Sequence, residues 1–73
     1  MKVKVANRTY RMSRKEYQGL LKVASEQVPL GVYAVEKNGY AELLNLKCKS
    51  ITQLKQRIRE FKSQGWKVYQ NGR

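Results

Sequence analysis

The spacing of apolar residues along the chain changes period, and the changes predict seven elements. Apolar and polar residues alternate in four segments, and a run of four apolar residues at 32–35 leads into an Asn-Gly turn; both patterns are typical of strands. These predict strands near residues 2–6, 9–12, 31–37, 40–48 and 66–70. Apolar residues at intervals of three and four predict helices over 14–27 and 51–64. The predicted fold is a two-layer α+β domain of order ββαββαβ, with two helices packed on one face of a mainly antiparallel sheet.

Both predicted helices begin at a serine. Ser13 precedes Glu16 by three residues, which is typical of a capping box, where each side chain accepts a hydrogen bond from the other's backbone amide. Ser50 and Gln53 have the same spacing. Gly65 favours the left-handed geometry that ends a helix. The two serines therefore fix where each helix starts, and Gly65 indicates where the second one stops.

The first hairpin admits two registers. A two-residue turn at residues 7–8 pairs Val5 with Tyr10 and places Lys4 opposite Arg11. Like charges directly across a strand pair are destabilising. Either another contact favours this arrangement or the register differs by one residue.

The second hairpin turns at an Asn-Gly pair, residues 38–39, which supplies the positive φ angles of a tight turn. A two-residue loop places Tyr33 opposite Leu44, whereas a three-residue loop with a glycine bulge places Val32 there. A slip of one residue exchanges the side chains that face the core. The sequence leaves these two registers open.

The apolar side of each element predicts the core. We expect seven residues to be buried together: Leu20, Leu21, Leu44, Leu46, Leu54, Ile58 and Phe61. Cys48 continues the alternation of the strand before it, so we expect a small core side chain and not a reactive thiol. Trp66 is expected in the core as well.

Length and composition exclude several classes of protein. A chain of 73 residues predicts a single domain with a thin core, and residues 71–73 are expected to be frayed. The chain has no His or Asp, one Cys and five scattered Glu, so we expect no enzyme activity, metal or cofactor. No apolar run approaches the roughly 18 residues of a membrane span, and no apolar segment opens the chain. Together with the single cysteine, this predicts a cytoplasmic protein.

The charge is strongly positive and unevenly distributed. Sixteen Lys and Arg stand against five Glu, for a net charge of +11. Residues 1–22 carry seven basic side chains and one Glu, and residues 47–73 carry eight basic side chains and one Glu. Residues 23–46 between them have a net charge of −2. Basic ends around a slightly acidic centre favour a polyanion or an acidic partner.

Two surfaces are candidates for binding. On the helix-free face of the predicted sheet we expect six basic residues and one aromatic residue: Lys2, Lys4, Arg11, Lys47, Lys49, Lys67 and Tyr69. In one of the two registers of the second hairpin, Tyr33 lies on this face as well. A stripe on the second helix adds Lys55, Arg59 and Lys62, although such a stripe is also typical of a plain solvated face. Lys and Arg neutralise phosphates, and aromatic rings on a sheet can stack on unpaired bases.

We therefore expect a small non-enzymatic protein that binds DNA or RNA, mainly through the phosphate backbone. The alternative is a protein-binding modulator of the phage type, which docks its basic surface on an acidic host protein. The style of the chain resembles small phage proteins, without a motif that carries a function across. An exposed edge strand could also pair with a second copy.

Overall fold

The computed structural model describes residues 1–72, with five strands and two helices. Numbered in chain order, they are β1 (Lys2–Val5), β2 (Arg8–Arg11), α1 (Arg14–Gln27), β3 (Gly31–Lys37), β4 (Tyr40–Lys47), α2 (Ile51–Ser63) and β5 (Lys67–Asn71). The α+β class and the ββαββαβ order are confirmed. Within these residues, neither helix has the length and apolarity that crossing a membrane requires.

The strands form one sheet in the order β2-β1-β4-β3-β5. β1 runs parallel to β4, and the other three neighbouring pairs are antiparallel. The mainly antiparallel sheet is therefore confirmed. β2 and β5 form its two edges.

The helices pack on opposite faces of the sheet, which differs from the expectation of a shared face. Ala34 and Val35 are successive residues of β3, and both are buried. Ala34 pairs with Leu43, which packs in the cluster formed with α1, whereas Val35 packs with Leu54 of α2. Successive side chains of a strand point to opposite faces. We call the two sides the α1 face and the α2 face.

The handedness of the connections explains this arrangement. α1 joins β2 to β3, α2 joins β4 to β5, and each connection links two parallel strands and leads toward the β5 edge. The two pairs of strands run in opposite directions. Because such connections are almost always right-handed, the two helices must lie on different faces.

The core is accordingly divided into two clusters. The α1 cluster contains Val3, Tyr17 and Ala41, with Leu21 among the residues packed around it. The α2 cluster gathers the other predicted residues around the buried side chains of that face, namely Leu44, Leu46, Leu54, Ile58 and Phe61. Cys48 and Trp66 also pack in the α2 cluster, as predicted. Leu20 belongs to neither cluster and lines a surface groove.

The first hairpin turns at Ala6 and Asn7, which is the alternative that differs by one residue from the turn at residues 7–8. Val5 pairs with Arg8, and Ala6 adopts a φ of 56°. Moving the turn by one residue changes every pairing, so Lys4 lies opposite Thr9 and not opposite Arg11. No turn motif in the sequence selected this register, because alanine rarely adopts positive φ.

The second hairpin has the two-residue loop. Asn38 and Gly39 have φ angles of 52° and 78°, as the Asn-Gly pair predicts. The register shifts at Tyr33, since Val32 pairs with Leu46 while Ala34 pairs with Leu43. Val32 faces the α2 cluster, and neither of the two expected partners lies in a regular pair with Leu44.

The helix caps follow the sequence pattern. Ser13 and Glu16 form the full capping box, in which Oγ accepts the Glu16 amide at 3.2 Å and Oε1 accepts the Ser13 amide at 3.3 Å. At α2, Ser50 Oγ accepts the Gln53 amide at 3.2 Å, whereas Gln53 Oε1 accepts the amide of Lys49. Gly65 has a φ of 88°, in the left-handed region expected after a helix.

The chain end is more ordered than expected. Asn71 belongs to β5, and its side-chain amide donates hydrogen bonds to the carbonyls of Ser25 and Val28, at 2.8 and 3.1 Å. The prediction of a frayed end is therefore wrong for Asn71. Residue 73 lies outside the described residues.

Candidate nucleic-acid interface

Three of the predicted basic residues lie together on the first hairpin. Lys2 and Lys4 flank Val3, which packs in the α1 cluster, so both lysines point to the α2 face. Arg11 lies directly opposite Lys2. Lys4 Nζ forms an ion pair with Glu42 of β4 at 3.4 Å. We call Lys2, Lys4 and Arg11 the hairpin patch.

Two other members of the predicted sheet surface lie on the opposite face. Tyr69 pairs with Ala34, its ring centroid is 6.5 Å from that of Tyr17, and its hydroxyl donates to Glu36 at 2.9 Å. Lys67 Nζ lies 5.2 Å from the Tyr69 ring centroid. The prediction of one face that gathers all six basic residues is therefore wrong. It depended on both helices sharing a face, and the right-handed connections exclude that.

Lys47 and Lys49 are exposed and lie far from the hairpin patch along the sheet. β4 runs from Tyr40, which pairs with Lys2, to Lys47 at its other end. Seven residues of strand span about 23 Å at 3.3 Å per residue. Lys49 follows the strand and precedes α2. These two lysines therefore do not extend the hairpin patch.

The second predicted surface is present on α2. Lys55, Arg59 and Lys62 are exposed and follow one another at helical spacing along its solvent side. We call these three residues the helix stripe. Thr52 and Gln56 join its first two members in lining a shallow depression of about 320 Å³. Their spacing from Lys55 and Arg59 could have identified both polar residues from the sequence.

The two basic surfaces differ in their carboxylate neighbours. Residues 1–72 contain three ion pairs: Lys4 with Glu42, Arg14 with Glu36, and Arg57 with Glu60. No member of the helix stripe has a carboxylate within 4 Å in this part of the chain. The positive charge of the helix stripe is thus uncompensated, whereas that of the hairpin patch is partly neutralised.

A polar cluster that the sequence did not indicate joins α1 to β3 and β5. Glu36 accepts hydrogen bonds from Arg14 Nη2 and from the Tyr69 hydroxyl, both at 2.9 Å. Partial burial disfavours the charged carboxylate, but these two bonds outweigh it and lower the pKa of Glu36. The Glu36 carboxylate also raises the pKa of Arg14 through the same hydrogen bond. The three residues are distant in the sequence, so no local pattern marks them.

Tyr17 lies beside this cluster and is fully buried. Burial raises the pKa of its hydroxyl, and the negative charge of Glu36 adds to the effect. Within the described residues this hydroxyl has no hydrogen-bond partner. The cluster fixes the position of α1 on the sheet, and its arginine is already committed to a carboxylate.

Comparisons of the chain with protein-family models, with curated proteins and with solved structures find no match. The function is therefore inferred from the charge and geometry of this chain's own residues.

Proposed function

We propose that this protein binds nucleic acid through the helix stripe, without catalysis and mainly by contacts to phosphates. The observation that carries the proposal is the row formed by Lys55, Arg59 and Lys62, three exposed cations with no carboxylate within reach in residues 1–72. Lys and Arg release condensed counterions when they neutralise phosphates, which provides most of the affinity of such proteins.

The dimensions of the row suit a nucleic-acid strand. Lys55 and Lys62 are seven residues apart, which is about 10 Å along a helix at 1.5 Å per residue. Successive phosphates of one strand of duplex DNA advance about 3.4 Å along its axis. For a helix that lies parallel to the duplex axis, the row therefore spans about three phosphate steps. Thr52 and Gln56 add uncharged donors and acceptors beside it.

The opposite flank of α2 shows what an ordinary solvated surface looks like on the same helix. There Arg57 Nη1 pairs with Glu60 Oε2 at 3.3 Å, three residues along. Glu60 is the one carboxylate of α2, and it lies away from the helix stripe. The helix stripe differs from this flank because none of its three cations has such a partner within residues 1–72.

Two triple variants test the proposal. One replaces Lys55, Arg59 and Lys62 with Ala, and the other replaces the three residues of the hairpin patch with Ala. Each removes three positive charges, so the second variant is a matched control for net charge. Binding to short labelled single-stranded and duplex DNA and RNA is measured by fluorescence anisotropy at low salt.

We expect the helix-stripe variant to bind at least about tenfold more weakly than the hairpin-patch variant, a difference of about 1.4 kcal/mol. Equal losses in the two variants would mean that net charge alone governs binding. A larger loss in the hairpin-patch variant would place the site on the sheet. Circular dichroism and thermal melting of both variants establish that the fold is retained.

A further inference from the structure

The edge strand β2 has free hydrogen-bonding groups along its outer side. Among the described strands it pairs only with β1, and all four of its residues are exposed. Met1 and Met12 exchange two backbone hydrogen bonds, at 2.9 and 3.0 Å. Hydrogen-bonded pairs alternate along an antiparallel ladder. The amides and carbonyls of Thr9 and Arg11 therefore point away from β1, toward the open edge.

The α1 face of this hairpin is largely apolar, with Arg8 as its one basic residue at the turn end of β2. Tyr10 is 45% exposed although it pairs with Val3, which is fully buried. On the same face, a groove of about 420 Å³ lies between α1 and the strands β1 and β4, and Val5, Leu20 and Val23 are among the residues that line it. Within residues 1–72, no charged side chain lines this groove. Val23 and Tyr10 are the most exposed large apolar side chains of the described residues.

The α2 face of the same hairpin is basic, because it carries the hairpin patch. Arg11 belongs to the edge strand itself and lies opposite Lys2. Within residues 1–72, Lys4 alone of the three has a carboxylate neighbour, Glu42. One edge thus offers a surface that is apolar apart from Arg8 on one side and a cationic surface on the other.

We propose that β2 accepts an extended segment of a partner protein as a sixth strand, and that this segment alternates apolar and acidic residues. Side chains of an added strand point alternately to the two faces. Its apolar side chains pack beside Tyr10 and toward the groove. Its carboxylates meet Arg11 and the rest of the hairpin patch, while its backbone bonds to Thr9 and Arg11.

Charge distinguishes this partner from a second copy of the chain. Antiparallel pairing of two β2 strands through their outward groups places the α2 faces of both copies on the same side, so the two hairpin patches lie next to each other across the new strand pair. Like charges across a strand pair are destabilising, and arginines on an edge strand are a common protection against self-pairing. The net charge of +11 opposes association of two copies further. An acidic strand is attracted by the same groups.

The test uses a labelled peptide in which Glu and Val alternate, and a control peptide of the same composition with the Glu residues in one block. Thr9→Pro removes an outward amide, which an edge strand tolerates, and Thr9→Val is its matched control. Binding is measured by fluorescence anisotropy. We expect the alternating peptide to bind at least about tenfold more tightly than the blocked one, and Thr9→Pro, but not Thr9→Val, to remove that difference.

Four further measurements separate strand addition from the alternatives. Val23→Asp should weaken binding of the alternating peptide, whereas the triple substitution of the helix stripe should leave it unchanged. If Thr9→Pro does not fold, an alternating peptide with N-methylated amides replaces it and should bind no better than the blocked peptide. Equal binding of the alternating and blocked peptides would overturn the proposal, since charge alone would then explain it. Sedimentation of the protein as a dimer that Thr9→Pro dissociates would also overturn it, in favour of self-pairing.

Discussion

Gly31 is the residue at which the backbone of the sheet is least tolerant of a side chain. It opens β3 at a φ of +151°, and a Cβ there would overlap the carbonyl oxygen of Leu46 and lie 2.9 Å from Val28 Cγ1. We expect Gly31→Ala to lower the free energy of unfolding by roughly 2 kcal/mol or more, because the backbone must move to make room for the added Cβ. Gly19 in α1 has open space around it, so Gly19→Ala should raise the free energy of unfolding by about 0.8–1 kcal/mol. Urea denaturation of both variants measures these values, and a loss at Gly31 no larger than a few tenths of a kcal/mol would contradict the close approach.

Glu36 should make the domain sensitive to acid. Its pKa is lowered in the folded protein, so its contribution to stability is present above the ordinary glutamate pKa of about 4.3 and is lost as pH falls through the folded value. We expect Glu36→Gln to show a smaller loss of unfolding free energy than the parent as pH falls below about 4.3. Urea denaturation over a pH series measures both slopes. Parallel curves would mean that the contacts of Glu36 with Arg14 and Tyr69 do not persist in solution.

Tyr17 should affect the stability of the domain in alkaline solution. Its folded pKa is raised by burial, so stability is complete below the ordinary tyrosine pKa of about 10 and falls as pH rises above it. Tyr17→Phe removes a buried hydroxyl that lacks a partner, so we expect the free energy of unfolding at neutral pH to rise by about 1 kcal/mol. The variant should also lose less stability than the parent in alkaline solution. A less stable variant at neutral pH would show that the hydroxyl is hydrogen-bonded.

At the scale of the elements, substitutions in the α2 cluster test whether α2 packs on the sheet as described. Leu54 is 3% exposed and contacts the buried valines of β3. Leu54→Ala should lower the free energy of unfolding by about 2–5 kcal/mol, through lost burial and a cavity. Val23→Ala, at a position 52% exposed, should change it by no more than about 0.5 kcal/mol. Similar values for the two variants, measured by urea denaturation, would contradict the packing of α2 on the sheet.

The sequence pattern predicted the helices and strands well because the interactions that start and end them lie within a few residues of one another. Ser13, Ser50 and Gly65 fix helix ends through hydrogen bonds and φ angles within a turn, and Asn38 with Gly39 sets the second hairpin in the same way. The face on which each helix packs depends instead on the handedness of connections between distant strands. The expected single core and the expected basic sheet face were wrong for that one reason.

The candidate site was predictable to the same extent. The helix stripe depends only on spacing within α2, and the structure keeps its three residues together on the exposed side. The prediction of the sheet surface required knowing which strands are neighbours and which face each helix covers. In the structure, Lys67 and Tyr69 lie on the face opposite to that of Lys2. The partner of each basic residue was not visible in the sequence either, because Glu36 and Glu42 reach cations from other elements.

At the scale of the whole molecule, its net charge of +11 attracts any polyanion, so binding alone does not establish a site. What separates a site from a diffuse attraction is the number of phosphates neutralised together. Each contact contributes about 0.9 to the slope of log affinity against log salt on duplex DNA, and about 0.7 on single strands.

The most direct test is therefore the salt dependence of binding by the parent and by the helix-stripe variant. With four to six phosphate contacts, the parent should show a slope of roughly 3–5, and loss of three contacts should reduce it by about 2–3. The hairpin-patch variant, with the same net charge, should keep most of the parent's slope. An unchanged slope in the helix-stripe variant, or no binding to any nucleic acid at low salt, would contradict the proposed function.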